Sequence, residues 1–310
     1  MQQTPVIIGT RGSPLALYQA HLVQRFLVEQ NDGDLLDFPI KILKTSGDTI
    51  QGDLKDFGGK GLFTRELEIA LLDKRIDVAV HSMKDVPTVG HNDLRIYAIL
   101  ERADVRDAFI SRKYKTLAEL PKGAMVGSAS IRRRAQLLTQ RPDLQFCLLR
   151  GNVGTRLKKL EDGVCDATML ACAGLRRLEQ DHEITEAISV DTMLPAPAQG
   201  AIGIESRAED DRIKVMLAPL NHRATELAIT AERAFLRALD GSCRTPIAAL
   251  GNWSDGHLDL RGQVLAKDGT FQISDRRAAP CHSVGEAYDL GFNMGRDMRI
   301  EIGDRVLWDD

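Results

Sequence analysis

The 310-residue chain has few aromatics (5%, with two Trp) and only five cysteines. It contains no CxxC pair, no low-complexity stretch and no apolar run near the ~18 residues of a membrane span. Each absence excludes something. The cysteines Cys147, Cys165, Cys172, Cys243 and Cys281 are odd in number and have no histidine at ligand spacing, which argues against a disulfide framework or a zinc site and makes reduced thiols the default. No repeat of 20–50 residues is present, so solenoids are excluded. There is no GxGxxG after a strand and no GxxxxGK[ST], and nucleotide binding has little support. Met1 to Pro14 is short and polar and reaches Arg11 before any apolar signal region forms, so the reading expects a cytoplasmic protein without a membrane anchor.

What is present is an ordinary globular balance, 43% apolar and 27% charged, at a length that calls for two or three domains. The net charge of −3 is uneven, because residues 106–159 hold thirteen Lys or Arg against three Asp or Glu. That region is built to meet an anion. Val6-Ile7-Ile8 leads through Gly9–Gly12 to Ser13-Pro14, a cap residue followed by proline at the first helical position. The helix that follows is expected to bury Leu15, Tyr18, Leu22 and Phe26. Strands at 40–43, 76–80 and 94–98 alternate with a helical stripe Phe63, Leu67, Ala70, Leu71. A second round runs through 125–127, 130–140, 144–149, 153–161 and 167–171, so two similar α/β lobes are expected. After Pro195, Pro197 and Gly200 the pattern changes to a helix near 224–239 and short strands at 246–250 and 258–265, read as a third, smaller domain.

Several polar residues fall just past expected strands: Arg11, His81 to Asp85, Ser128, Ser130 and Arg150. Ligands of open α/β sheets bind at such carboxyl ends, although each residue alone reads more simply as a solvated loop charge. Arg132, Arg133 and Arg134 open a helix, where free N–H groups and the dipole favour anions; neighbours point ~100° apart, so at least one must face water, and Arg134 is the candidate. Phe57 to Leu62 reads as a loop that closes over a ligand with Lys60, or simply as a glycine-rich connection. Asp85 beside Lys84 offers a carboxylate for a developing cation, or half of a structural ion pair. Cys243, flanked by Ser242 and Arg244, sits in a setting that favours a thiolate, although a structural cysteine is the simpler reading; Cys147, Cys165 and Cys172 read as core.

Taken together, Thr10–Leu17, Gly58–Phe63, His81-Ser82-Met83-Lys84-Asp85-Val86-Pro87, Arg150–Arg156 and Gly241-Ser242-Cys243 closely resemble the porphobilinogen deaminase (hydroxymethylbilane synthase) family over nearly the whole chain. The resemblance implies an α/β fold of three domains. Domains 1 and 2, of mixed sheets with flanking helices, would be like type II periplasmic binding proteins, and domain 3 a small α+β domain. Domain 1 would comprise 1–100 and 201–218, domain 2 106–194, and domain 3 222–310, with crossings near 101–105 and 195–201. It implies a dipyrromethane cofactor joined to Cys243 by a thioether, and polymerisation of four porphobilinogen molecules with loss of ammonia. Asp85 is then the catalytic residue, binding pyrrole N–H groups and stabilising the cation formed as ammonia leaves.

By the same resemblance Lys84, Asp85, Ser128, Ser130, Arg132, Arg133, Arg150 and Gly151 would hold the cofactor. Arg11, Ser13, Lys60, Phe63, Ser82, Arg150, Arg156, Arg177 and Gln199 would hold the substrate, with no metal. It further implies a monomer acting on a small molecule. The sequence departs from the family pattern at Ala129, Ala198 and Ser242, of which Ala198 bears on backbone angles that glycine adopts more easily. Two other readings stand beside it: a non-catalytic anion-binding protein of the same fold, and nucleic-acid binding, which rests on the basic stretch alone and lacks its aromatics and motifs.

Overall fold

The computed structural model describes residues 4–31, 34, 37–45, 64–241 and 245–305. In chain order the strands and helices are β1 (Ile8–Arg11), α1 (Pro14–Gln30), β2 (Ile40–Leu43), α2 (Arg65–Leu72), β3 (Val78–Ser82), β4 (Leu94–Ile99), β5 (Asp107–Ser111), β6 (Met125–Gly127), α3 (Ile131–Gln140) and β7 (Gln145–Cys147). Then follow α4 (Val153–Glu161), β8 (Ala167–Ala171), α5 (Cys172–Arg177), β9 (Glu186–Ala187), β10 (Ile202–Arg207), α6 (Asp211–Leu217), α7 (Arg223–Ala238), β11 (Ile247–Ser254), β12 (His257–Leu265), β13 (Gln272–Pro280) and α8 (Val284–Ile302). The mixed α/β class is as expected. The chain divides into two compact units, 1–102 with 201–226, and 103–200 with 227–310.

The first unit holds a five-stranded sheet in the order β2-β1-β3-β10-β4. β1 is parallel to β2 and β3, whereas β10 runs antiparallel to β3 and β4. β3 opens on an apolar run, Val78 to Val80, because both its faces are covered there. Val78 and Val80 pack with Ala20, Val23 and Leu27 of α1, while Ala79 packs with Leu67, Ala70 and Leu71 of α2. The buried stripe of α1 therefore differs from the expected one: Leu15, Tyr18, Leu22 and Phe26 are only half-buried. The helix is rotated toward its smaller residues, and two glutamines enter the core because they find partners there. Gln24 Nε2 donates to the Phe38 carbonyl at 2.8 Å, and Gln19 exchanges hydrogen bonds with Ser82.

The second unit repeats this strand arrangement as β7-β6-β8-β5-β9, with β6 parallel to β7 and β8 and β5 antiparallel to β8 and β9. Again one strand serves two layers: Phe109 packs in the layer of Leu137 from α3, and Ala108 and Ile110 with Leu157, Leu160 and Leu175 from α4 and α5. In both sheets the carboxyl ends of three parallel strands share one edge, and the loops there carry the polar groups described below.

The same unit also contains the antiparallel sheet β11-β12-β13, with α7 and α8 on its apolar face. β13 and α8 go beyond the elements expected from the sequence. α8 is nevertheless announced by a capping box, Ser283 with Glu286. Gly291 and Gly295, one turn apart on α8, let its backbone approach α7: a Cβ at Gly291 would collide with the Ala231 carbonyl, and one at Gly295 would lie 2.6 Å from the Phe235 carbonyl oxygen. Gly291→Ala should therefore destabilise the protein by about 1–3 kcal/mol in urea unfolding, through overpacking. Gly285→Ala, at an exposed helical position with no close neighbour, should instead stabilise it by up to about 1 kcal/mol.

Candidate active site

In the first unit the strand-end loops form a cleft of about 70 Å³, lined by Arg11, Ser13, Leu15, Ala16, Gln19, Thr64, Val80, His81, Ser82 and Asp85. Arg11 ends β1, and Ser13 caps α1 as its sequence promised, its hydroxyl accepting from Ala16 N ahead of Pro14. Asp85 closes a 3₁₀ turn, Met83–Asp85, that follows β3 directly. The turn is pinned by its first residue. Met83 is buried, its N–H donates to the Ala201 carbonyl, and its sulfur occupies the space that Gly203 of β10 leaves by having no side chain. Lys84 and Asp85 are consequently turned outward, Lys84 exposed and Asp85 half-buried on the cleft.

Behind this surface, His81 Nε2 lies 3.0 Å from Glu205 Oε2, both groups buried. Gln19 and Thr64 also line the cleft, beside the His81 that the strand-end pattern marks. Gln19 and Thr64 look ordinary in sequence, since only the fold brings them beside Ser13 and Asp85. Lys60 and Phe63 lie outside the described residues, as does Cys243.

In the second unit Ser128 and Ser130 follow β6. Ser128 Oγ accepts from Ser130 N, and Ser130 Oγ caps α3 by accepting from Arg133 N. Arg134 is exposed and stacks over Phe146, as its place on the helix requires. Arg132 and Arg133 instead turn inward and are 4% and 6% exposed. Each donates to a different oxygen of Asp107 at 2.7 Å, and their other amino groups donate to the carbonyls of Leu194 and Met169. Burial by itself would raise the Asp107 pKa, but the two guanidinium groups more than reverse this and hold its carboxyl well below the usual carboxylate range. Burial lowers the Arg132 pKa from its usual value, with Asp107 opposing and Arg133 reinforcing.

Two guanidinium groups against one carboxylate leave a positive charge in this cluster, and Nε of both Arg132 and Arg133 has no hydrogen-bond partner. The cluster thus fits a further carboxylate, the group that each pyrrole of a dipyrromethane carries twice. Gly151, at φ +120°, makes the turn after β7, where a Cβ would strike Thr155. Its carbonyl accepts from Arg156 Nε at 2.8 Å. Asn152 caps α4.

Arg177 and Gln199 hold the return of the chain. Arg177 donates to the Gly200 carbonyl at 2.7 Å, and Gln199 Nε2 to Val105 O at 2.7 Å and Asp107 Oδ1 at 2.9 Å. Ala198 does adopt the left-handed angle that glycine would take, φ +63°, in a turn closed by Gln199 N to Ala196 O. The buried Glu232 carboxylate accepts from the Ala198 N–H at 2.6 Å and holds that turn.

Burial pushes the thiols of Cys165 and Cys172 up to about 11, so neither offers a thiolate near neutral pH. Among the described residues no three His, Cys, Asp or Glu gather as metal ligands, and no helix is long and apolar enough to cross a membrane.

Two family models match the chain: "Porphobilinogen deaminase, dipyromethane cofactor binding domain" over residues 6–215, and "Porphobilinogen deaminase, C-terminal domain" over 226–299. A curated protein named porphobilinogen deaminase, from Paracoccus denitrificans (strain Pd 1222), is 52% identical over 305 residues, covering 98% of this chain and 95% of the relative. Among solved structures, a methionine-binding protein aligns at 12% identity, covering 70% of this chain and 89% of that one, with a TM-score of 0.45. A periplasmic substrate-binding protein of an ABC transporter from Coxiella burnetii aligns at 15%, covering 71% and 93%, with a TM-score of 0.44.

Proposed function

The chain belongs to the porphobilinogen deaminase family, and from that premise we propose how its residues divide the work. The activity is the head-to-tail joining of four porphobilinogen molecules into hydroxymethylbilane with release of ammonia, in tetrapyrrole (haem) biosynthesis, with a dipyrromethane cofactor. When attached, that cofactor supplies the nucleophilic pyrrole carbon from which the chain is extended. We assign its thioether to Cys243.

Asp85 is the catalytic residue. The observation that carries this reading is its carboxylate on the cleft it shares with Arg11 and Ser13. Porphobilinogen presents N–H groups to an anion and two carboxylates to cations and hydroxyls, and the cleft offers both kinds of partner. As ammonia leaves, positive charge develops on the pyrrole and its methylene, and a fixed carboxylate lowers the energy of that state more than that of the substrate. Arg11, Ser13, Ser82, Lys60, Phe63, Arg150, Arg156, Arg177 and Gln199 bind and orient substrate; Lys84, Ser128, Ser130, Arg132, Arg133, Arg150 and Gly151 hold the cofactor. Their contribution is positioning and charge neutralisation.

For function we divide the chain into 1–100 with 201–218, 106–194, and 222–310, the last being the attachment domain. We further propose a cytoplasmic monomer that binds no nucleic acid. In support, several basic groups of 106–159 already have acidic partners within the protein: Arg106 with Asp104, Arg112 with Glu183, Arg141 with Asp143, and Lys158 with Asp162.

The attachment is tested by intact mass under denaturing conditions, after incubation with porphobilinogen. The wild type should carry an excess of two linked pyrrole units, and Cys243→Ser should carry none. An unmodified wild type, or a Cys243→Ser protein that keeps the excess, would remove the assignment.

A further inference from the structure

We infer that Thr64 is a substrate-binding residue of the cleft, its hydroxyl placed to donate to a carboxylate of bound porphobilinogen; this rests on the reading of that cleft given above. Thr64 is 1% exposed, lines the cleft with Arg11, Ser13 and Asp85, and its Oγ1 has no hydrogen-bond partner. Such a hydroxyl is unfavourable in the folded protein, since a valine of the same shape would bury there without a polar group to desolvate.

The local uses of a threonine are also excluded. Thr64 precedes α2 at the cap position, but its backbone is helical (φ −115°, ψ −27°) rather than extended, and its side chain caps nothing. The other hydroxyls of the region are engaged: Ser13 accepts from Ala16 N, Ser82 is bonded to Gln19, and Thr10 donates to the Ala16 carbonyl. A buried hydroxyl without a partner, on a residue that lines a cleft, is satisfied by what enters the cleft.

The entering group is an acceptor. Asp85 is the one carboxylate among the described residues lining the cleft, so the pyrrole and amine N–H groups of the substrate go to it. Its two carboxylates need donors, and Arg11, Ser13 and the Thr64 hydroxyl supply them. A hydrogen bond to a charged oxygen is worth more than a neutral one, which is sufficient reason to keep a polar atom there at a cost to the free enzyme.

The test uses full-length holoenzyme, with cofactor loading checked by mass, as Thr64→Val, Thr64→Ser and Asp85→Asn. Thr64→Val should melt at or above the wild-type temperature yet raise KM for porphobilinogen by roughly tenfold or more, with a smaller change in kcat. Thr64→Ser should stay near wild type. Thr64→Val with wild-type KM, alongside an inactive Asp85→Asn, overturns the role of Thr64 alone. A lowered melting temperature in Thr64→Val with equal kinetic loss in Thr64→Ser shows a packing role and also overturns it. Full turnover in Asp85→Asn overturns the reading of the cleft, and Thr64 with it.

Discussion

Asp85→Asn is expected to lower turnover by about 10²–10³-fold or more while leaving the fold and melting temperature near wild type. The exchange keeps shape and size, and the 3₁₀ turn that presents the side chain is held by Met83 and its hydrogen bond to Ala201, not by the carboxylate. What changes is charge. An amide offers a partial dipole where a full negative charge opposed the developing cation, and its N–H₂ end meets substrate N–H groups as donor against donor. The measurement is ammonia release in a single turnover, which isolates the elimination from later elongation; circular dichroism and a thermal melt establish that folding is intact. Turnover within a few-fold of wild type would remove Asp85 from the chemistry.

The second large effect is on stability. Asp107→Ala should destabilise the protein by about 3–5 kcal/mol, the range for breaking a buried ion pair by removing one partner. Arg132 and Arg133 would then face each other in the interior with no anion between them, and Gln199 would lose one of its acceptors. Denaturant unfolding reads the loss, and cofactor loading should fall in parallel because the two guanidinium groups would no longer be held together.

The pH dependence has a definite sign. A carboxylate whose folded pKa is depressed adds stability that is complete above its unfolded value, about 4, and is lost as pH falls through the folded value. Asp107 is such a group. Its contribution is therefore whole at neutral pH and disappears only in acid, and Asp107→Asn should flatten the acid side of the stability–pH curve. An unchanged acid limb in that variant would show that the cluster is not what titrates.

These two effects differ in how far they could be read from residues. His81 to Asp85 lies at the end of an apolar run, so a carboxylate at a strand mouth is visible in the sequence; the pin through Met83 and Gly203 is not, because the two are 120 residues apart in the chain. Arg132 and Arg133 were legible as an anion site at a helix start, but their first anion is Asp107 on a neighbouring element. Helical geometry required at least one of three arginines to be solvated, and sheet order decided what the other two would meet. β10 and α6 lay beyond the reading because the stretch after Gly200 loses the regular alternation. β13 was hidden by Arg276 and Arg277, whose charges break its apolar pattern and are answered by Asp259 and Asp297.

The sequence by itself determined the α/β class, the cap residue Ser13, the anion-seeking character of 106–159, and, through five motifs in order, the family. All of these depend on patterns within a turn of helix, a strand or a short loop, where the physics is local. Tertiary structure alone decided that α1 buries Ala20, Val23 and Leu27, that one aspartate binds two arginines, and that Thr64 lines the cleft with its hydroxyl buried and without a partner. Burial and the satisfaction of polar groups are set by whatever the sheet order brings alongside, and that order joins residues tens to more than a hundred positions apart.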